Sequence, residues 1–343
     1  MNCRTSIKLK KLIPIDIDNC ADISDVLSYM SQASFGGRSV GKAFSILRNI
    51  VDDPDCALIL TVSGAMTVAK LGRIFGSLIS KSIVKVVITT GAIVTHSLVE
   101  ELGMHHHKAP SNLSDEELCV RKLNRIYDSI EPESNLEKLE ELAHHVFSSM
   151  DATSEYASFE IIRTLASSML KPGGSTGFLR SVLERDINAY VPAFTDSELG
   201  LYLFRYNEAL CSTQMKKLVY DPMRDLAEYA NWIRSKKRIA FLTIGGGVPR
   251  NWGQQMIPFL RSQSERDKLP CKTVLPEVVA AVRICPDQES LGHLSGSTYS
   301  EGITWGKFLP SHKENFVEIK CDATIIFPLL AKVLIDYVDE ARK

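Results

Sequence analysis

The chain has 343 residues, 40 Lys+Arg against 41 Asp+Glu, a formal net charge of -1, 45% apolar residues and 24% charged residues. That profile supports a sizeable globular core. It excludes a nucleic-acid binder that works through basic excess and an electrostatic membrane tether, but not a cationic small molecule held by a few pocket carboxylates.

Lys8, Lys10 and Lys11 make a small basic patch, and Pro14, Asp16 and Asp18 interrupt the apolar residues beyond it. No signal-peptide apolar region is read there, and residues 1–35 are expected to form a helical extension. Gly37-Arg38-Ser39-Val40-Gly41-Lys42-Ala43 is one residue short of a phosphate-binding loop and ends in Ala, so that reading is rejected. Amphipathic spacing predicts helices over 40–50, 136–150, 159–170 and 223–233. Runs rich in Val and Ile predict buried parallel strands over 56–62, 83–89, 189–194, 238–244 and 278–285. Strands alternating with helices predict an α/β fold, a mostly parallel sheet with helices on both faces. The breaker cluster at 171–175 is too short to divide the chain, so a single domain over 1–343 is expected. The apolar run at 323–330 is too short to span a bilayer, and a cytoplasmic protein is the default. Cys3, Cys20, Cys56, Cys119, Cys211, Cys271, Cys285 and Cys321 are scattered with no C-x-x-C pair. Reduced thiols are expected rather than a zinc ribbon.

Three predicted strands run into small-residue turns: Ser63-Gly64-Ala65-Met66-Thr67, Thr89-Thr90-Gly91-Ala92 and Ile244-Gly245-Gly246-Gly247. Ligands of open α/β sheets sit beyond the carboxyl ends of the strands. Glycine lets the backbone approach a pyrophosphate there, and a following helix offers free N–H groups. Taken singly, each turn reads as a tight turn needing positive φ; the three together point to a dinucleotide crevice. No G-x-G-x-x-G stands at a strand end.

The stretch Gly296 to Phe308 concentrates chemistry. Lysine is a nucleophile only when neutral, and burial of Lys307 beside Trp305 and Phe308 lowers its pKa. Such a lysine forms Schiff bases. Trp305 can hold an amine over its ring, and Glu301 can pair with a cation or act as a base. On spacing alone the stretch also reads as a turn with one solvated lysine. His105-His106-His107 is expected to be a solvated loop, since adjacent imidazoles rarely converge on one ion, and no metal is predicted. His144-His145 reads as a surface or interface pair, and Trp232 and Trp252 as core or interface residues.

Glu301-Gly302-Ile303-Thr304-Trp305-Gly306-Lys307 resembles the active-site stretch of the deoxyhypusine synthase family. The likeness extends through Ser63 to Thr67, Thr89 to Ala92, Pro192 to Asp196, Gly245 to Val248, Leu294-Ser295-Gly296 and Asp322-Ala323. Gly64-Ala65-Met66, Thr195 to Gly200 and Pro249-Arg250-Asn251-Trp252 look like the bacterial branch, which includes homospermidine synthases. The resemblance implies a Rossmann-like fold, NAD as cofactor, and a homotetramer with active sites between subunits. It implies aminobutyl transfer from spermidine or a related polyamine, with Lys307 carrying the fragment as an imine. The acceptor is putrescine in homospermidine synthases, the reading favoured here. It is a lysine of translation factor 5A in deoxyhypusine synthases; a weak regulatory subunit of the same fold is a further alternative. The resemblance places NAD at Ser63, Gly64, Ala65, Met66, Thr67, Thr90, Gly91, Ala92, Asp196, Gly246, Asp322 and Ala323. It places substrate at His96, Asn251, Gly292, Glu301 and Trp305. Thr95 and His96 stand where the eukaryotic enzymes have two glutamates, Leu201 and Leu294 stand at aspartate positions, and Asn251 stands at a histidine that assists proton transfer.

Overall fold

The computed structural model describes residues 9–171, 173, 177–212, 216–266 and 275–342. Its main sheet has six strands, numbered here in chain order: β1 (Cys56–Val62), β2 (Val84–Ile88), β3 (Ala189–Tyr190), β4 (Arg238–Ile244), β5 (Glu277–Ile284) and β6 (Phe316–Ile319). Every neighbouring pair is parallel. The spatial order is 3-2-1-4-5-6, the doubly wound arrangement of dinucleotide-binding folds.

Side chains of a strand alternate between faces, and β1 shows the result. Leu58, Leu60 and Val62 join one core, while Ala57 and Ile59 join another. The larger core receives helices Phe35–Asp52, Gly72–Ser80, Gly91–Glu101 and Ala323–Ala341. The smaller one receives Tyr229 and Ile233 of helix Pro222–Arg234, and Met256, Ile257 and Leu260 of helix Gly247–Arg266. Both faces are therefore covered, and the central strands read as unbroken apolar runs for that reason.

β1 and β4 occupy the predicted bounds, and β2 and β5 fall within one residue of theirs at each end. β3 stops at Tyr190 instead of 194, because Pro192 has no N–H to continue the ladder. β6 was not predicted. It is an edge strand in which Val317 and Ile319 are buried between the charged Glu318 and Lys320. The predicted loop at 105–112 contains strand His107–Lys108, which pairs with Ser129–Pro132. That strand also pairs with Leu123–Ile126, giving a small antiparallel sheet.

The segment rejected as a phosphate loop lies in helix Phe35–Asp52. A Cβ at Gly41 would stand 2.4 Å from the Leu27 carbonyl oxygen, so glycine here permits the crossing of helix Ile23–Ser31. Among the described residues no helix is long and apolar enough to cross a membrane. Cys20, Cys56, Cys119, Cys211, Cys285 and Cys321 are free thiols; Cys3 and Cys271 lie outside the described residues, as does most of the 171–175 cluster.

Candidate active site

Because all six strands are parallel, their carboxyl ends share one edge. The strand order reverses between β1 and β4, and a ligand crevice opens at such a switch point. The two turns that leave these strands are tied together. Ser63 N donates to Ile244 O (3.0 Å), and Gly246 N donates to Ser63 Oγ (2.9 Å). Gly64, Gly245 and Gly247 have φ of +74°, +80° and +61°, conformations that cost a side-chain-bearing residue about 1–2 kcal/mol.

The remaining glycines are required by close approach. A Cβ at Gly246 would lie 2.6 Å from Ser295 Cα, and one at Gly91 would lie 2.1 Å from Ser197 Cβ. Gly247 differs: nothing lies within 4 Å of its Cβ position. Thr90 caps helix Gly91–Glu101 by accepting from Ile93 N, and its hydroxyl reaches Gly64 O at 3.4 Å. Thr67 is buried and donates to Ile93 O (3.3 Å), while Met66 packs on the larger core. Both side chains are committed to the fold. Ala65 and Ala92 are half-buried beside them, and Asp196 is exposed beyond β3. Asp322, beyond β6, caps helix Ala323–Ala341 through Thr324 N (2.7 Å); Ala323 is buried.

The lysine is positioned by local backbone chemistry. Thr298 and Glu301 form a capping box: Thr298 Oγ1 accepts from Glu301 N (3.1 Å), and Glu301 Oε2 accepts from Thr298 N (2.5 Å). It opens helix Tyr299–Thr304. The helix closes with Gly306 N donating to Ile303 O (3.0 Å) and Lys307 N donating to Gly302 O (2.9 Å). This is a Schellman stop, and its left-handed position is Gly306 at φ +70°. Gly302 admits the Phe308 ring, which a Cβ would meet at 2.6 Å.

Lys307 Nζ donates to Asn251 Oδ1 at 2.8 Å. Asn251 lies on helix Gly247–Arg266, which begins directly after β4, so the amine is anchored beside the switch point. Partial burial, and after it the Arg250 guanidinium, hold the Lys307 ammonium below its ordinary pKa. Burial by two aromatic rings was the expectation, and one of the two departs from it. Phe308 is buried against Tyr299 and Phe316, but Trp305, the helix C-cap, is 68% exposed. Glu301 is exposed and keeps one oxygen outside the capping box; Gly292 is exposed at φ +70°.

Two arginines that sequence reasoning missed hold this stretch. Arg283, 1% exposed, donates to Ser295 O, Ser297 O and Glu318 Oε2, each at 2.6 Å. Glu318 Oε1 in turn accepts from Tyr299 N (2.7 Å). Arg250 reaches Ser297 Oγ at 3.3 Å and lies over the Tyr299 ring. The available signal was one arginine inside the apolar run of β5.

The histidine loop is corrected. His105 and His107 are exposed, but the His106 side chain is 1% exposed. Alternation along an extended segment turns only the middle ring inward. It meets His96, also buried, and Glu131; His96 Nδ1 is 3.3 Å from Glu131 Oε2. His144 is half-buried with Nε2 3.1 Å from Tyr202 O, and Trp252 stacks on Tyr229 beneath helix Gly247–Arg266.

A doubly wound sheet with a half-buried lysine tethered beside its switch point defines an α/β enzyme of the dinucleotide-fold class. The sequence model described as deoxyhypusine synthase matches residues 25–334. The chain belongs to the deoxyhypusine synthase family, whose enzymes are transferases. "Probable deoxyhypusine synthase 1" of Archaeoglobus fulgidus is 28% identical, with 95% of this chain and 98% of the relative covered. "Probable deoxyhypusine synthase 2" of Methanosarcina acetivorans is 25% identical, with 96% and 91% covered. The crystal structure of a putative deoxyhypusine synthase from Entamoeba histolytica shares the fold at a TM-score of 0.58 and 15% identity, covering 94% of this chain and 96% of its own.

Proposed function

We propose that the protein transfers an aminobutyl group from a polyamine through an imine on Lys307, with NAD as cofactor. The observation that carries this reading is the partly desolvated Lys307 amine on Asn251, at the switch point of a doubly wound sheet. A neutral lysine attacks the C=N carbon of an oxidised donor and expels the departing amine. Asn251 Oδ1 accepts one N–H and so directs the remaining lone pair. An amide has no basic site at neutral pH, so Asn251 orients the amine, and any proton transfer falls to another group. Glu301 is the exposed carboxylate nearest in sequence to the lysine, and with Trp305 it is assigned to the cationic donor.

The residues at the edge fit a dinucleotide. Gly247 has open space at its Cβ position beside the Gly64 and Gly245 turns, and two carboxylates, Asp196 and Asp322, flank the sheet edge. NAD, when bound, supplies reversible hydride acceptance. Gly64, Gly91 and Gly246 shape the crevice, with Ser63, Thr90, Ala65, Ala92 and Ala323 in the adjoining turns. His96 enters this reading at one remove, since its Nδ1 faces Glu131.

The relatives' names shift the acceptor away from putrescine, the reading favoured from sequence, and toward a protein lysine such as that of translation factor 5A. A homotetramer is part of the proposal. Val248, Phe259, Leu294 and Trp305 are 49%, 57%, 47% and 68% exposed around the site, and a cavity of about 650 Å³ beside Asn251 has Val248, Phe259 and Leu294 in its wall. An apolar rim of this kind suits cover by a second copy. A cytoplasmic location completes the reading.

The test is incubation with NAD and spermidine, with putrescine or translation factor 5A as acceptor, followed by borohydride trapping and mass spectrometry. An adduct on Lys307 and released diaminopropane are expected. Their absence across a polyamine panel would sink the proposal.

A further inference from the structure

The transfer reading gives His106 and Glu131 no task, and it reaches His96 only beside the Glu131 carboxylate that its Nδ1 faces. The three side chains come from three elements. His96 is on helix Gly91–Glu101, His106 comes after the turn at Gly103 (φ +82°), and Glu131 is on strand Ser129–Pro132. Their side chains are 8%, 1% and 1% exposed. One atom of each faces a common point. His106 Nε2 is 2.5 Å from Glu131 Oε2 and 3.1 Å from His96 Nδ1, and His96 Nδ1 is 3.3 Å from Glu131 Oε2.

Hydrogen bonding alone satisfies this triangle poorly. Glu131 Oε2 is a buried oxygen held as an ion pair by His106 Nε2, off the line of a well-oriented hydrogen bond. Both imidazole nitrogens compete for that one oxygen, and the rings are tilted by 59°, so they do not stack. A four-coordinate zinc ion, with donors about 2.0–2.1 Å away, separates its ligand atoms by about 3.3 Å. The observed triangle is one face of that tetrahedron, drawn in along the His106–Glu131 edge.

The surroundings are those of an oriented ligand set. The other Glu131 oxygen accepts from Asn135 Nδ2 at 2.6 Å, and the same amide reaches His105 O at 3.2 Å. The far ring nitrogen of His106, Nδ1, lies 3.6 Å from Glu100 Oε1 and 3.0 Å from Lys70 Nζ. Lys70 in turn holds that Glu100 oxygen at 2.6 Å. With Nε2 on a metal, Nδ1 carries the ring proton and donates to Glu100 Oε1, so Lys70 Nζ, a second donor that cannot stay 3.0 Å from it, shifts onto Glu100 alone.

We propose that His96 Nδ1, His106 Nε2 and Glu131 Oε2 bind one divalent transition-metal ion, zinc by the chemistry of the donors. The ion pins the small antiparallel sheet to helix Gly91–Glu101. Two imidazoles and a carboxylate are borderline ligands that suit zinc over calcium or magnesium. Among the described residues no fourth His, Cys, Asp or Glu joins the group, so the fourth position is left to water.

The experiment uses the full chain without a polyhistidine tag. The protein is stripped with a chelator, repleted with zinc, dialysed, and its metal content measured by mass spectrometry. Affinity is measured by competition with a chromophoric chelator, and cobalt replaces zinc for the visible spectrum. One equivalent per chain, a four-coordinate cobalt spectrum and a rise in melting temperature with zinc are expected. His106→Gln and Glu131→Gln should remove the equivalent and the spectrum. Asn135→Ala, which touches no ligand nitrogen, should weaken binding about 10–100-fold. No stoichiometric zinc or cobalt on folded wild-type protein overturns the proposal, and so does binding that both glutamine variants retain. Neither readout depends on transfer activity, so its failure is separable from failure of the lysine chemistry.

Discussion

Lys307 and His106 are both nitrogens that the fold must aim, and it does so by opposite means. Lys307 is half-buried, and its direction comes from main-chain devices: a capping box before its helix, a Schellman stop after it, and one amide partner. His106 is enclosed, and its direction comes from side chains on every side. The difference teaches where each site is fragile. The lysine site depends on glycines and short-range geometry, and the histidine site on the simultaneous presence of distant partners.

The sharpest way to break the comparison is at the lysine itself. Lys307→Ala should lower transfer by on the order of 10³-fold or more, because the nucleophile is lost. The melting temperature should move little, since the amine makes one partly exposed contact. A variant that stays active in single-turnover assays would move the covalent step elsewhere. Next comes Gly306→Ala, which forces a Cβ into the left-handed position. We expect about 1–2 kcal/mol of lost stability, read by urea denaturation, together with a fall in kcat larger than the change in KM for the donor.

The pH profile gives a smaller effect. Only neutral Lys307 attacks, so the rate should rise with pH until the lysine is deprotonated. Partial burial, then Arg250, place that rise below the ordinary lysine range. Removing the neighbouring cation with Arg250→Gln raises the Lys307 pKa, so the rising limb should move to higher pH, by about one unit or less. A limb that stays in place would show that burial alone sets it. The least effect is expected on stability in Glu301→Gln. Glutamine also completes a capping box, so stability should hold within about 0.5 kcal/mol. A weakened KM for the donor would then report direct contact with the cation, and an unchanged KM would confine Glu301 to its capping role.

Much of this architecture was legible in the residues. The central strands are covered on both faces, so their apolar runs stood out, and β1 and β4 lie where periodicity placed them. Edge elements were harder. In β6, Val317 and Ile319 are only alternate positions in a charged stretch, and β3 is ended by Pro192. The lysine was found through its Trp-Gly-Lys setting. Its supports Arg250 and Arg283 were not, because a buried arginine declares itself only once partners converge on it from distant positions. The inward turn of His106 was hidden for a similar reason: three like residues in a row carry no sign of which one faces a helix ten residues back and a strand yet to come.

The contact between Gly246 and Ser295 has a mechanical consequence. A Cβ at 246 would stand 2.6 Å from Ser295 Cα, and the Ser295 carbonyl is clamped by the same Arg283 that holds Ser297. The β4 turn and the loop leading to the lysine thus share a wall with no slack in it. Pressing the turn inward presses on that loop, so the crevice cannot narrow at this wall without moving the base on which the nucleophile stands.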